Sequence, residues 1–179
     1  CQAQADRPAA QRISLDYGAK VGCADQDTAA QCLRALPADR LRRPPFYVGF
    51  GADRLTGPVT GTDRLPEDPM AAFAQNRAPR VPVLIGTTAD EFTLFTAVDY
   101  LQHHGLPSYA SLLADTFGAH AIAVAERYPL QRYGDSTGQA YSAAVTDGEF
   151  ACPADRIAAG LARNAPVYAY EFNDRTAPA

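Results

Sequence analysis

VPVLIGTTADEFTLF, residues 81–95, is the stretch on which the fold turns. Five residues, VPVLI, form an apolar run too short for a core helix and end at Gly86-Thr87-Thr88, which predicts a buried strand over 81–85. Pro82 falls near its start, where a missing backbone donor is tolerated. From Ala89 the spacing becomes helical, with Phe92, Phe95 and Val98 on one side and Leu94 and Leu101 nearby. Asp90 and Glu91 sit where the strand gives way to the helix. Acids in a first helical turn complement the helix dipole and need no further purpose. In open α/β sheets, however, the carboxyl edge of the strands is also where ligands and reacting groups collect.

Upstream, Ala9, Ala10, Ile13, Tyr17 and Val21 predict a helix ending near Gly22. Asp27 or Thr28 is positioned to cap a second one. Its Ala29, Cys32, Leu33 and Leu36 fall at i, i+3, i+4 and i+7 before Pro37 stops it. Residues 44–68 are rich in Gly, Pro and Thr and read as loops, with short strands around 47–50. Asp68-Pro69 starts a short helix through MAAFAQN.

Downstream, Ser108 caps a helix over YASLLADTF that Gly118 closes. Further helices are expected over 119–127 and 153–164, the latter with Ile157 and Leu161 inward. PVYAYEF, residues 166–172, reads as a second strand of buried character. Strands separated by long helical stretches indicate an α/β architecture, and two strands are too few for a complete doubly wound sheet.

The 179 residues suffice for one domain or a large piece of one. A hydrophobic fraction of 47% is that of a globular protein. No run approaches the roughly 20 apolar residues of a membrane span. A net charge of −4 without a basic stripe excludes a nucleic-acid surface. The first residues, CQAQADRPAAQ, show neither an initiator Met nor a signal pattern, and NDRTAPA follows a strand with no closing element. Both ends are expected to be internal to a longer chain.

Cysteines stand at positions 1, 23, 32 and 152, without the CxxC or Cys–His spacing of a zinc site. Cys23 and Cys32 bracket a short polar segment between two helices. They are either a disulfide, contributing about 3 kcal/mol in the chain-entropy model, or two buried thiols. A disulfide would place folding outside the cytosol. Cys1 and Cys152 could pair with each other or with cysteines outside this sequence.

VPVLIGTTADEFTLF resembles the acid-bearing segment of the type B carboxylesterases, the α/β-hydrolase family that includes the cholinesterases. Three other stretches resemble that family in the same order. GCADQDTAAQCLRALPADRL is similar to its disulfide loop and Cys-Leu-Arg helix. GPVTGTDRLPEDPMAAF is similar to the segment ahead of the acid strand, and VTDGEFACPADRIA with PVYAYEF to the region before the catalytic histidine. The resemblance implies the C-terminal part of a single α/β-hydrolase domain, its central sheet flanked by helices and with no internal domain boundary.

It further implies that Glu91 is the acid of a Ser-His-Glu triad working through an acyl-enzyme, without a metal or other cofactor. Leu94 and Phe95 match positions that line the substrate gorge, or else belong to the helix–sheet core. Asp147 matches an acid ahead of the family's Cys-Pro and is expected to play a supporting part near the histidine loop. Phe92 departs from the pattern, because glycine usually follows the glutamate. A turn that demanded glycine would be strained by it.

The implied serine lies upstream of Cys1 and the histidine beyond Ala179, so the chain alone is expected to be inactive. Its partners are then a small ester substrate and the N- and C-terminal remainder of the same domain, in a secreted or cell-envelope protein. The alternative is a cholinesterase-like binding or adhesion domain that has lost its serine. A literal G-x-S-x-G does occur at residues 134–138, but YPLQRY before Ser136 is no buried strand and no histidine follows it. Ser136 is expected to be part of a turn.

Overall fold

The computed structural model describes residues 5–41, 58–174 and 176, so residues 47–50, expected as short strands, and Cys1 lie outside the described residues. The described residues form two compact units, one within 2–68 and the other within 69–179.

In the first unit, helix α1 (Arg7–Lys20) starts at Asp6, whose carboxylate accepts the Ala9 N–H at 2.8 Å. The first-turn proline Pro8 costs nothing there, because that donor has no helical partner. Ile13, Tyr17 and Val21 are half-buried, as their fourfold spacing predicts. The chain turns at Gly22 (φ 98°) into Cys23, whose N–H donates to the Gly18 carbonyl at 2.7 Å. A Cβ on Gly18 would stand 2.9 Å from the Cys23 carbonyl oxygen, so only glycine lets the loop fold back this closely.

Helix α2 (Ala29–Ala35) carries the other half of a Cys23–Cys32 disulfide, with Cα atoms 5.7 Å apart. Neither Asp27 nor Thr28 caps it with a side chain. Asp25 instead accepts the Asp27 and Thr28 N–H groups at 2.9 and 3.4 Å, because it precedes them by two and three residues in an Asx turn. A short helix α3 (Ala38–Leu41) follows. Strands β1 (Ala5–Asp6) and β2 (Val59–Thr60) pair in parallel.

The second unit opens with α4 (Pro69–Ala74), after which β3 (Val83–Thr88) leads to α5 (Thr93–His103). Helix α6 (Tyr109–Phe117) starts on Ser108, whose hydroxyl accepts the Ser111 N–H at 3.2 Å, and ends at Gly118 with φ 53°. A 3₁₀ turn (Gly118–His120) and α7 (Ala121–Arg127) follow. Helix α8 (Thr137–Thr146) continues through a π-helical turn (Asp147–Ala151) into α9 (Cys152–Leu161), then β4 (Val167–Phe172).

Strands β3 and β4 are parallel neighbours, Val83 opposite Val167 through Thr88 opposite Phe172. Pairing starts at Val83, whose N–H donates to the Pro166 carbonyl at 3.0 Å, because the groups that would extend it are used locally: the Val81 N–H donates to the Pro79 carbonyl and the Ala165 N–H to the Leu161 carbonyl, both at 3.1 Å. It runs past Ile85 because β4 is long enough to extend the ladder, ending with the Ala89 N–H on the Phe172 carbonyl at 3.0 Å.

These strands were expected to be buried and are not. Leu84, Tyr168 and Tyr170 are 73%, 65% and 56% exposed. Alternation places all three, with Phe172, on one face, while α9 covers the other. The composition of a strand reports what its faces can bury against, and in these residues only one face has a cover.

The core of this unit is built around α8, where Ala140, Ser142, Ala144, Val145 and Thr146 are buried with Leu113 of α6. Small side chains on α8 let α5 and α6 approach it closely. Helix α9 meets α4 at Gly160, where a Cβ would lie 3.1 Å from the Phe73 carbonyl oxygen, and Arg163 donates to the Ala74 carbonyl at 2.8 Å. Ile157 and Leu161 are half-buried. No helix among the described residues is long and apolar enough to cross a membrane.

Candidate active site around Glu91

Glu91 lies in the turn between β3 and α5, just past the carboxyl end of the parallel pair. Its Oε1 accepts the Thr88 backbone N–H at 2.7 Å, which folds the side chain back onto the end of the strand. Thr88 is the last residue of the ladder, so the carboxylate is tied to the sheet. The side chain is half-buried.

Phe92 follows in an ordinary right-handed conformation (φ −99°, ψ −5°), which a side chain adopts without strain. The glycine usual at this position in the resembling family is therefore not demanded by the backbone here. The ring is 7% exposed, packs edge-on against Tyr141 at 6.0 Å and lies 5.4 Å from Phe95.

Phe92 also occupies the N-cap position of α5, where its own side chain has no oxygen to offer the helix. Helix α8 supplies polar groups instead. The Phe92 N–H donates to Thr146 Oγ1 at 3.1 Å. The Phe92 carbonyl accepts the Thr96 hydroxyl at 3.3 Å, and Ser142 Oγ donates to Thr96 Oγ1 at 2.7 Å. Thr96, Ser142 and Thr146 are all buried. No motif in the sequence marks these residues as partners of the Glu91 turn. A signal was present in Ser142 and Thr146, hydroxyls one turn apart on an otherwise alanine-rich helix, but only the packing of α5 on α8 reveals their target.

Leu94 and Phe95 are 70% and 45% exposed, and Phe95 keeps its contact with the Phe92 ring. A groove of about 580 Å³ between α5, α8 and the connection after α5 is lined instead by Thr93, Ala97, Tyr100, Leu101 and Leu106, with Thr96 and Ser142 at its base.

Asp147 accepts the Tyr128 hydroxyl at 2.6 Å. Burial, followed by this hydrogen bond to an acid, pushes the Tyr128 phenol well above its usual range. Ser136 has φ −83° and caps α8 by accepting the Gln139 N–H at 3.3 Å, and a 3₁₀ turn rather than a strand leads into it. It is a helix cap within a turn, without the strand–turn–helix geometry of a nucleophile elbow. His103 is bound to Asp99 of its own helix at 3.0 Å, and His104 and His120 lie at helix ends. Cys152 is a free, exposed thiol. Among the described residues no group of His, Cys, Asp and Glu could hold a metal ion.

A parallel strand pair backed by helices, with Glu91 held at its carboxyl edge, defines an α/β protein. Comparison with known proteins names the group. The Carboxylesterase family model matches residues 1–178, and the chain belongs to that family, which implies an α/β-hydrolase fold. It is 27% identical over 177 residues to the cAMP-regulated D2 protein of Dictyostelium discoideum, covering 93% of this chain and 32% of that protein. Identity to the Crystal protein of the same organism is 25% over 166 residues, covering 87% and 30%. The para-nitrobenzyl esterase of Bacillus subtilis (strain 168) is 33% identical over 116 residues, covering 65% and 22%. The chain thus spans at most about a third of the length of these relatives.

Proposed function

We propose that the complete protein hydrolyses carboxylic esters through a Ser-His-Glu triad, with Glu91 as the acid and this chain as the C-terminal part of one α/β-hydrolase domain. Both compact units then belong to that domain, and β3 and β4 to its central sheet. The observation that carries the reading is the Glu91 carboxylate, held by the Thr88 N–H at the carboxyl end of a parallel strand.

In this reading the serine and histidine come from the flanking parts of the protein. The serine oxygen attacks the ester carbonyl while the histidine takes its proton and delivers it to the departing alcohol. Water, deprotonated by the same histidine, then attacks the acyl-enzyme and releases the acid. Glu91 accepts the histidine Nδ1–H and stabilises the imidazolium without itself taking a proton. Leu94 and Phe95, apolar and exposed directly after the acid, are assigned to the substrate side of the site. The Cys23–Cys32 disulfide favours a secreted or cell-envelope location.

The test is hydrolysis of 4-nitrophenyl acetate by the complete protein and by Glu91→Gln. The substitution is expected to lower kcat by about 10³-fold or more, and the isolated chain to show no serine-dependent turnover. Undiminished turnover in Glu91→Gln, or serine-dependent turnover by the isolated chain, would refute the assignment.

A further inference from the structure

We infer that Thr146, assisted by Thr96 and Ser142, is a positioning residue that holds the Glu91 turn in register for catalysis; this rests on the assignment of Glu91 as the triad acid. Glu91 is constrained on its N-terminal side by its own bond to Thr88, which belongs to the sheet. On its C-terminal side the next residue is gripped at both of its backbone polar groups. Thr146 Oγ1 takes the Phe92 N–H, and Thr96, oriented by Ser142, adds a hydroxyl to the Phe92 carbonyl.

The Thr146 and Ser142 contacts join α5 to α8 through buried side chains, where a hydrogen bond is stronger than in water. They fall on the one residue whose backbone follows directly from Glu91. A glycine at this position would bring no ring to anchor the turn. Here Phe92 anchors it on the apolar side and the hydroxyls on the polar side. Freed from Thr146, the Phe92 N–H would be a buried donor without its acceptor, and the turn would shift to rehydrate it. Displacement of a triad member by about 1 Å can cost up to ~10²-fold in rate.

The complete protein carrying Thr146→Val, which keeps the shape and removes the oxygen, is compared with Thr146→Ser and Glu91→Gln. Secondary structure and melting temperature are recorded for each. Folded Thr146→Val is expected to lose about tenfold in kcat with KM within about twofold of the parent. The acid limb of its kcat/KM profile should move to lower pH, because a loosened carboxylate stabilises the imidazolium less. Thr146→Ser should restore most of the rate. Partial unfolding alone would scale kcat and leave the pH limb in place.

A folded Thr146→Val with parental kcat and an unmoved acid limb overturns the inference, provided Glu91→Gln is impaired. If Glu91→Gln keeps full activity, the underlying triad assignment is what fails. Should Thr146→Val not fold, Ser142→Ala is read in its place. A smaller loss in kcat with the same shift supports the inference, and parental values overturn it.

Discussion

Replacing Phe92 by alanine and by glycine separates two accounts of the turn after Glu91. If the turn is built as observed, the ring is a core group on an unstrained backbone: 7% exposed, φ −99°, in contact with Tyr141 and Phe95. Removing a buried phenylalanine ring costs about 3–5 kcal/mol through lost burial and the cavity left behind. Glycine should then be worse than alanine by a further ~0.5–1 kcal/mol, because it adds backbone freedom to the unfolded chain and relieves no strain. Against a typical stability of about 5–15 kcal/mol, either variant loses a large fraction of the total.

The assay is urea denaturation followed by circular dichroism, since the chain has no tryptophan to report by fluorescence. With a slope of about 1–3 kcal/mol per molar urea, the midpoint should fall by roughly 2 M. The order of the two variants is the sharper result. If Phe92→Gly proves more stable than Phe92→Ala, the turn demands a glycine-type backbone and the description of this site is wrong.

Replacing both Cys23 and Cys32 by serine should cost about 3 kcal/mol, because the unfolded chain regains the freedom of the closed loop. An unchanged melting temperature would refute that. Gly160→Ala should destabilise by about 1 kcal/mol. Crowding against the Phe73 backbone costs roughly 1–3 kcal/mol and outweighs the roughly 1 kcal/mol of helix propensity gained, so a rise in melting temperature would contradict the close approach. Tyr128→Phe should cost about 1 kcal/mol near pH 7 by removing the hydrogen bond to Asp147. The phenol's folded pKa is raised above the ordinary 10.0, so its contribution is complete below pH 10 and is lost as pH rises beyond it. The parent and Tyr128→Phe stabilities should therefore converge in alkaline titration, and a constant gap from pH 7 to 11 would contradict the assignment.

Local signals in the sequence were sufficient at several element ends. Ser108 and Gly118 bound α6 as expected because a cap and a left-handed C-terminus need only their neighbours. YPLQRY ahead of Ser136 predicted a turn rather than a buried strand, and Ser136 caps α8. The strand bounds at 83 and 88 were less legible, since the length of a ladder belongs to its partner as much as to itself. Asp27 and Thr28 matched a cap by residue type, but the working oxygen is that of Asp25.

The sequence by itself determined the α/β class, the strand-to-helix transition at residues 81–95 and the place of Glu91 within it. These follow from periodicity and residue type over a few positions. Only the tertiary structure decided how that acid is held. Thr88 and Phe92 are its chain neighbours, but Thr146 lies 54 residues from Phe92 and Ser142 lies 46 from Thr96. A hydroxyl on a helix is equally suited to solvent or to a distant backbone. Which one it meets depends on the packing of α5 against α8, a long-range choice that no local pattern encodes.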